Sequence, residues 1–414
     1  MNKIIEYQIE NQPIINIGCL GSVSDGKSTL VEKTTGIKTQ KHSSEKTRNI
    51  TIKQGYANMK IWKNDDTFYT SDSNLKEYIL HDDTKLDLVN HISFVDCPGH
   101  QELIHTMLSS ISLMDGAIIV IAVDQPLKTK PQLIQHMAAA KLGKLDKIII
   151  CMNKIDLVTK EVLMERKAEL DTMLEQYDIK PYAIIPTCFN KKLGINYLLN
   201  KIMELFNPSN YLQRTEMKPV FRISRTFDIN KPGTDWNDVN GGVIGGSLIS
   251  GTLKVGDMIE IKPGQLSKDM KGNIISIPIK TKVLSIQTDT SSLDSIIPGG
   301  LIGIRTDMDP YYCKNDMLSG NIANTDDSIE IYNDITLDIK LVTTFGANWE
   351  PKVKDIVSIQ IGTKMSEAKL VAINMKNQLK FQFTKPVCIM KGQNIIICKN
   401  IDKILKIVGE SILE

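Results

Sequence analysis

The stretch IINIGCLGSVSDGKSTLVEKT, residues 14–34, decides the fold of the first half of the chain. Its first seven residues are an aliphatic run that reads as a buried strand, residues 21–28 spell G-x-x-x-x-G-K-S, and residues 28–34 continue as a helix. A glycine-rich loop between a strand and a helix start is an anion cradle. Gly21 and Gly26 let successive N–H groups turn inward, and the dipole of the following helix favours negative charge. Lys27 sets a cation between the β and γ phosphates of a nucleoside triphosphate, and Ser28 offers its hydroxyl to Mg²⁺. Ser24, Asp25 and Thr29 complete the candidate phosphate-binding set.

Working outward, aliphatic runs alternate with helical patterns as far as residue 206. HISFVDC (91–97), AIIVIAV (117–123), KIIICM (147–152) and AIIPTC (183–188) read as strands. Helical stretches cover 102–113, 131–142, 160–176 and 195–206, with Pro131 suited to a first helical turn. Fully apolar strands separated by crossover helices predict an α/β domain, its mainly parallel sheet covered by helices on both faces. Residues 64–90 read as an irregular polar insertion. Beyond Lys218 short alternating segments cut by glycines predict a first β-barrel, and a similar pattern after Asp327 predicts a second. The expected division is 1–208 for the nucleotide-binding domain, 209–326 for the first barrel and 327–414 for the second.

Two further motifs fall at strand ends, where ligands of such sheets sit. Asp96-Cys97-Pro98-Gly99 supplies a carboxylate that can hold Mg²⁺ through water and a Gly99 N–H that can detect a γ-phosphate. His100 follows, in position to orient an attacking water. Asn153-Lys154-Ile155-Asp156 names the base. A carboxylate accepts from both N1–H and the exocyclic amine of guanine, whereas adenine presents a lone pair at N1. GTP and GDP are therefore the expected ligands, with Mg²⁺ held by Ser28, Asp96 and Thr51. Thr51, in RNITIK (48–53), would reach the metal only while the γ-phosphate is present. Read without the other motifs, ITIK is equally a strand with a solvent-facing threonine.

Composition excludes several classes. A hydrophobic content of 42%, 24% charged residues and a net charge of +2 describe an ordinary globular protein, so any RNA must be held by a local basic surface. The seven scattered cysteines never form C-x-x-C, which argues for free thiols in a reducing compartment and against a disulfide framework or a zinc site. The first residues carry no apolar leader core, and no aliphatic run approaches a membrane span, so a cytoplasmic protein without membrane contact is expected.

RNITIKQGYANMKIW (48–62), residues 91–122, NKIDLV (153–158), residues 225–264, PGGLIGIRTDMDP (298–310) and TKPVCI (384–389) closely resemble the gamma subunit of eukaryotic and archaeal translation initiation factor 2. The resemblance spans nearly the whole chain. It implies a GTPase that carries methionyl initiator tRNA to the small ribosomal subunit, assembles with alpha and beta subunits, and hydrolyses GTP on start-codon selection, slowly without an activating protein. It also implies a tRNA cleft beside the GTPase domain, with Tyr56 and Asn58 as candidate cleft residues; a packed strand tyrosine is the alternative.

Thr187-Cys188 stands where the family has its Ser-Ala guanine loop, and Phe189 follows it. The family usually has histidine where Asp25 stands. A carboxylate roughly 5 Å from a phosphate, at an effective dielectric of about 20, costs a few kcal/mol unless it turns away or meets a cation. The family's zinc knuckle would fall within residues 62–91, where this chain has no cysteine, so no zinc is expected. Asp25 motivates a second reading, a tRNA- or subunit-binding homologue with impaired hydrolysis. An elongator-type aminoacyl-tRNA carrier is the third.

Overall fold

A computed structural model describes residues 8–38, 55–99, 103–289, 291–342 and 348–413. The chain divides into two compact units. One is built from the described residues up to Asn210, the other mainly from those of Tyr211–Val342 and Asn348–Asn400.

The first unit is built on a seven-stranded sheet with strands β1 (Ile15–Leu20), β2 (Gly55–Asn64), β3 (Thr67–Ser71), β4 (Asp87–Asp96), β5 (Gly116–Ala122), β6 (Ile148–Asn153) and β7 (Ala183–Pro186). Their order is β3-β2-β4-β1-β5-β6-β7, parallel from β4 to β7, with β2 and β3 antiparallel at one edge. Every residue of β1, β5 and β6 is buried, which is why these strands read as unbroken aliphatic runs. Helices α1 (Lys27–Thr35), α2 (Ile104–Ile111), α3 (Pro131–Leu142), α4 (Lys160–Gln176) and α5 (Ile195–Leu205) accompany it.

The helix ends follow local chemistry. Helix α1 starts directly after Gly26, at φ 107°, and stops at Gly36, at φ 76°, whose N–H donates to Glu32 O. Helix α5 buries Ile195, Leu198, Leu199 and Ile202, one stripe at helical spacing.

The antiparallel edge corrects the reading of residues 64–90 as irregular. Strand β3 pairs with β2 from Lys60/Ser71 to Asn64/Thr67, and β4 begins four residues earlier than its apolar core because Asp87 pairs with Lys63. The rest of the segment is organised by a small aromatic cluster. The rings of Trp62 and Tyr69 lie 6.1 and 5.8 Å from that of Tyr78, and Trp62 Nε1 donates to Ser71 Oγ at 2.8 Å. Lys60 Nζ donates to Leu75 O, and the buried His91 ring meets Ser73 Oγ at 3.0 Å and Ile9 O at 2.9 Å.

The second unit holds two antiparallel seven-stranded sheets. In the first, the long hairpin of Met258–Lys268 and Ile274–Gln287 closes the sheet, because these strands pair with each other and also flank the remaining strands. Its interior is filled by Phe221, Ile223, Ile244, Leu248, Ile261 and Val283 among others. In the other sheet, Glu330–Leu337 pairs with Leu379–Ile389, and the adjoining Lys340–Leu341 pairs with Ile404–Ile412, so the sheet curls back on itself. Both are the barrel architecture expected from the glycine-cut alternation. All seven cysteines are buried free thiols.

Candidate nucleotide-binding site

The sheet order brings the motifs to one edge. Strand β1 lies between β4 and β5, so the chain passes to one side of it and then the other, and the crevice at its carboxyl end is the natural ligand position. The register sets Asp96 beside Cys19 and Asn153 beside Ala122, while Thr187 N donates to Met152 O. Residues far apart in sequence thereby converge on the loop 21–28.

That loop needs its glycines. Gly21 has φ 139°, and a Cβ there would lie 2.2 Å from Val120 O; a Cβ on Gly26 would lie 2.3 Å from Asn153 Nδ2. Ser24 is exposed with φ 64°, and Thr29 is half-buried on the first turn of α1. Lys27 is buried, and its ammonium donates to Gly21 O at 2.9 Å and Ser22 O at 2.7 Å. Burial lowers its pKa, opposed by attraction to Asp96 and Asp25.

Ser28 Oγ donates to Asp96 Oδ2 at 2.8 Å. These are a hydroxyl and a carboxylate, hard oxygen donors of the kind Mg²⁺ takes. Gly99 packs directly on the loop, since a Cβ on it would lie 2.6 Å from Lys27 Nζ and 2.8 Å from Val23 N. His136 on α3 is buried, and burial pushes its pKa down to about 3, so the ring is neutral. Thr51 and His100 lie outside the described residues.

The base-reading motif is tied to the loop through Asn153. Its Nδ2 donates to Asp25 O at 2.9 Å, and its Oδ1 accepts from Phe189 N at 3.2 Å. Lys154 has φ 65° and pairs with Asp124 at 2.9 Å. Asp156 accepts from the Cys188 thiol and pairs with Lys191 at 3.2 Å, which together hold its carboxyl below the usual range. Thr187, Cys188 and Phe189 are all buried, with Thr187 Oγ1 donating to Met152 O. On β2, Tyr56 is half-buried; Asn58, 6% exposed, presents little surface to a ligand.

Asp25 does not face open solvent. It is 1% exposed, its Oδ2 accepts from Ser22 N at 2.9 Å, and its Oδ1 is 2.6 Å from Lys130 Nζ. The extra charge meets a cation.

Known proteins agree with this arrangement. Residues 12–208 match the family described as elongation factor Tu GTP binding domain, and residues 339–413 match initiation factor eIF2 gamma, C terminal. The chain is 35% identical over 429 residues to eukaryotic translation initiation factor 2 subunit 3 of Drosophila melanogaster, covering 97% of this chain and 88% of that one. It is 34% identical over 416 residues to translation initiation factor 2 subunit gamma of Pyrococcus furiosus, covering 99% of each. The chain belongs to the gamma-subunit family of translation initiation factor 2. It is a translational GTPase of initiation.

Solved structures show the fold that the gamma family shares. Translation elongation factor SelB from Methanococcus maripaludis, in complex with the GTP analogue GppNHp, superposes with a TM-score of 0.70 at 21% identity, covering 98% of this chain and 80% of that one. A bacterial selenocysteine-specific elongation factor EF-Sec gives 0.73 at 20% identity over 97% of this chain, which spans 58% of its length. No helix among the described residues is long and apolar enough to cross a membrane.

Sequence reasoning missed three residues of the site: Lys130, Asp124 and Lys191. Lys191 lies two residues beyond Phe189, so the guanine loop itself was the signal. Lys130 is 105 residues from Asp25 and had none.

Proposed function

We propose that this chain binds GTP and methionyl initiator tRNA together, delivers the tRNA to the small ribosomal subunit, and hydrolyses GTP to GDP on start-codon selection. The observation that carries the reading is Gly99 in contact with the phosphate loop, because the segment after β4 then senses whatever the loop holds.

In this reading the N–H groups of 21–26, with Ser24 and Asp25 contributing backbone, surround the phosphates, and Lys27 turns its ammonium to the β and γ groups. Thr29 lies at the helix start beside them. Ser28 and Thr51 would hold Mg²⁺ directly and Asp96 through water; the ion, when bound, neutralises phosphate charge. His100 orients the water that attacks the γ-phosphorus as the bond to the β-γ bridging oxygen breaks. Asn153 and Lys154 frame the base, Asp156 accepts its two N–H groups, and Thr187, Cys188 and Phe189 line the far side. Turnover is slow until an activating protein completes the site.

Tyr56 is the cleft residue with surface to offer tRNA. The alpha and beta subunits are the expected assembly partners, the compartment is cytoplasmic, and no structural zinc is expected because residues 62–91 carry no cysteine. The impaired-hydrolysis reading loses its motive, since Asp25 is neutralised by Lys130.

Filter binding of methionyl initiator tRNA, with GTP and with GDP at two salt concentrations, tests the proposal. Retention is expected to be stronger with GTP and to fall with salt. Equal retention in both nucleotides overturns it, and equal retention of elongator tRNA favours an elongator-type carrier.

A further inference from the structure

We infer that Lys130 is a positioning residue of the nucleotide site: by holding the Asp25 carboxylate it leaves Lys27 free to meet the phosphates. This rests on the nucleotide-site reading above. Asp25 lies inside the phosphate loop, between Ser24 and Gly26, both at positive φ. Its side chain is 2% exposed, and that of Lys130 is 8% exposed. A buried carboxylate demands a cation or a set of donors. Among the described residues Lys130 pairs with it, and Lys27 of the loop is attracted to it.

The geometry assigns the carboxylate to Lys130. Its Nζ lies 2.6 Å from Asp25 Oδ1 and also donates to Ala122 O at 2.7 Å, at the carboxyl end of β5. Lys130 is itself the residue that opens α3. The pair therefore ties the phosphate loop to both β5 and α3, and Asn153 holds the same residue from its main-chain carbonyl. Lys27, although attracted to Asp25, donates to Gly21 O and Ser22 O instead. Without Lys130, the uncovered carboxylate would both repel phosphate and draw Lys27 away from it. The two penalties act on the nucleotide, not only on the fold.

The test is a cycle of nucleotide affinities, read by displacement of a fluorescent GDP analogue from wild type, Lys130→Met, Lys130→Arg, Asp25→Asn and the double variant Asp25→Asn/Lys130→Met. Lys130→Met is expected to weaken GTP and GDP by roughly 100-fold, the factor expected for one uncovered charge beside phosphate. Lys130→Arg retains binding. Asp25→Asn tightens GTP and GDP binding, because a buried cation then faces the phosphates unopposed. The double variant recovers most of what Lys130→Met loses.

A pair that only staples the loop predicts the opposite. Asp25→Asn would then weaken binding as much as Lys130→Met, and the double variant would recover nothing; either result overturns the inference. Should Lys130→Met fail to fold, Asp25→Asn and the uncharged double variant still decide it. Wild type that binds no guanine nucleotide would sink the nucleotide reading and this inference together, whereas wild type that binds with no coupling between the two positions would sink the inference alone.

Discussion

Replacing Asp156 with Asn tests the identity of the base. The carboxylate is positioned by the Cys188 thiol and by Lys191 at 3.2 Å, and its side chain is 24% exposed. These partners favour the ionised form, so it is ready to accept two N–H groups from guanine. Each charge-assisted bond is worth roughly tenfold to a hundredfold in affinity. Partial exposure argues for the lower end, so Asp156→Asn should weaken GTP by about 100-fold. The amide can accept from N1–H and donate to a carbonyl at the 2-position, so xanthosine triphosphate should gain by a similar factor. Lys191 loses its partner, but its side chain is 67% exposed and water replaces the pair. The assay is competition by GTP, ATP and xanthosine triphosphate against a labelled guanine nucleotide at fixed Mg²⁺. Unchanged GTP affinity, or a variant that gains ATP instead of the xanthine nucleotide, refutes the role given to this carboxylate.

Three further outcomes are expected. Burial holds His91 and His136 neutral with pKa values near 3, against 6.5 for free imidazole. The unfolded chain then binds protons that the folded one refuses, so stability is full above about pH 6.5 and falls by about 1.4 kcal/mol per pH unit per histidine below it; urea unfolding that is equally stable at about pH 7.5 and about pH 5 contradicts this. Tyr78→Ala should lower stability by about 1–3 kcal/mol through loss of its contacts with Trp62 and Tyr69, while a strong chelator leaves the melting temperature of wild type unmoved; a chelator-induced drop would reveal a metal in place of the aromatic cluster. Ser28→Ala should raise the Mg²⁺ concentration needed for GTP binding by about tenfold, measured by metal titration, and an unchanged requirement removes Ser28 from the metal site.

The parallel core was legible because β1, β5 and β6 are buried on both faces, and burial on both faces leaves an aliphatic run that no helix period disguises. The helix bound at Pro131 was legible from the proline, which suits a first helical turn. The edge formed by β2 and β3 was not. Its order comes from Trp62, Tyr69 and Tyr78 meeting across a polar segment, a tertiary contact that local hydropathy does not record. Asp25 shows the same limit in the site itself. Its charge could be read from the sequence, but its partner could not, because the topology alone brings Lys130 to it. The first barrel was legible from its glycine-cut hairpins, and the pairing of Met258–Lys268 with both neighbours is the tertiary contact that makes it a ring.

The charges around the crevice support Lys27 as the phosphate ligand of the proposed site. Asp25 is held by Lys130, Asp124 by Lys154 and Asp156 by Lys191, while Asp96 accepts from the Ser28 hydroxyl. Four lysines and four aspartates thus meet in one crevice with little net charge. Lys27 differs from the other three lysines in its partners, because its ammonium donates to two main-chain carbonyls of its own loop. Neutral carbonyls solvate a cation without cancelling its field, and burial, the largest influence on this group, lowers its pKa against the attraction of Asp96 and Asp25. In the proposed site a phosphate would meet this ammonium where the dielectric is low and the attraction correspondingly strong. With the other lysines paired, the proposed site would favour an anion at Lys27, against which Gly99 packs.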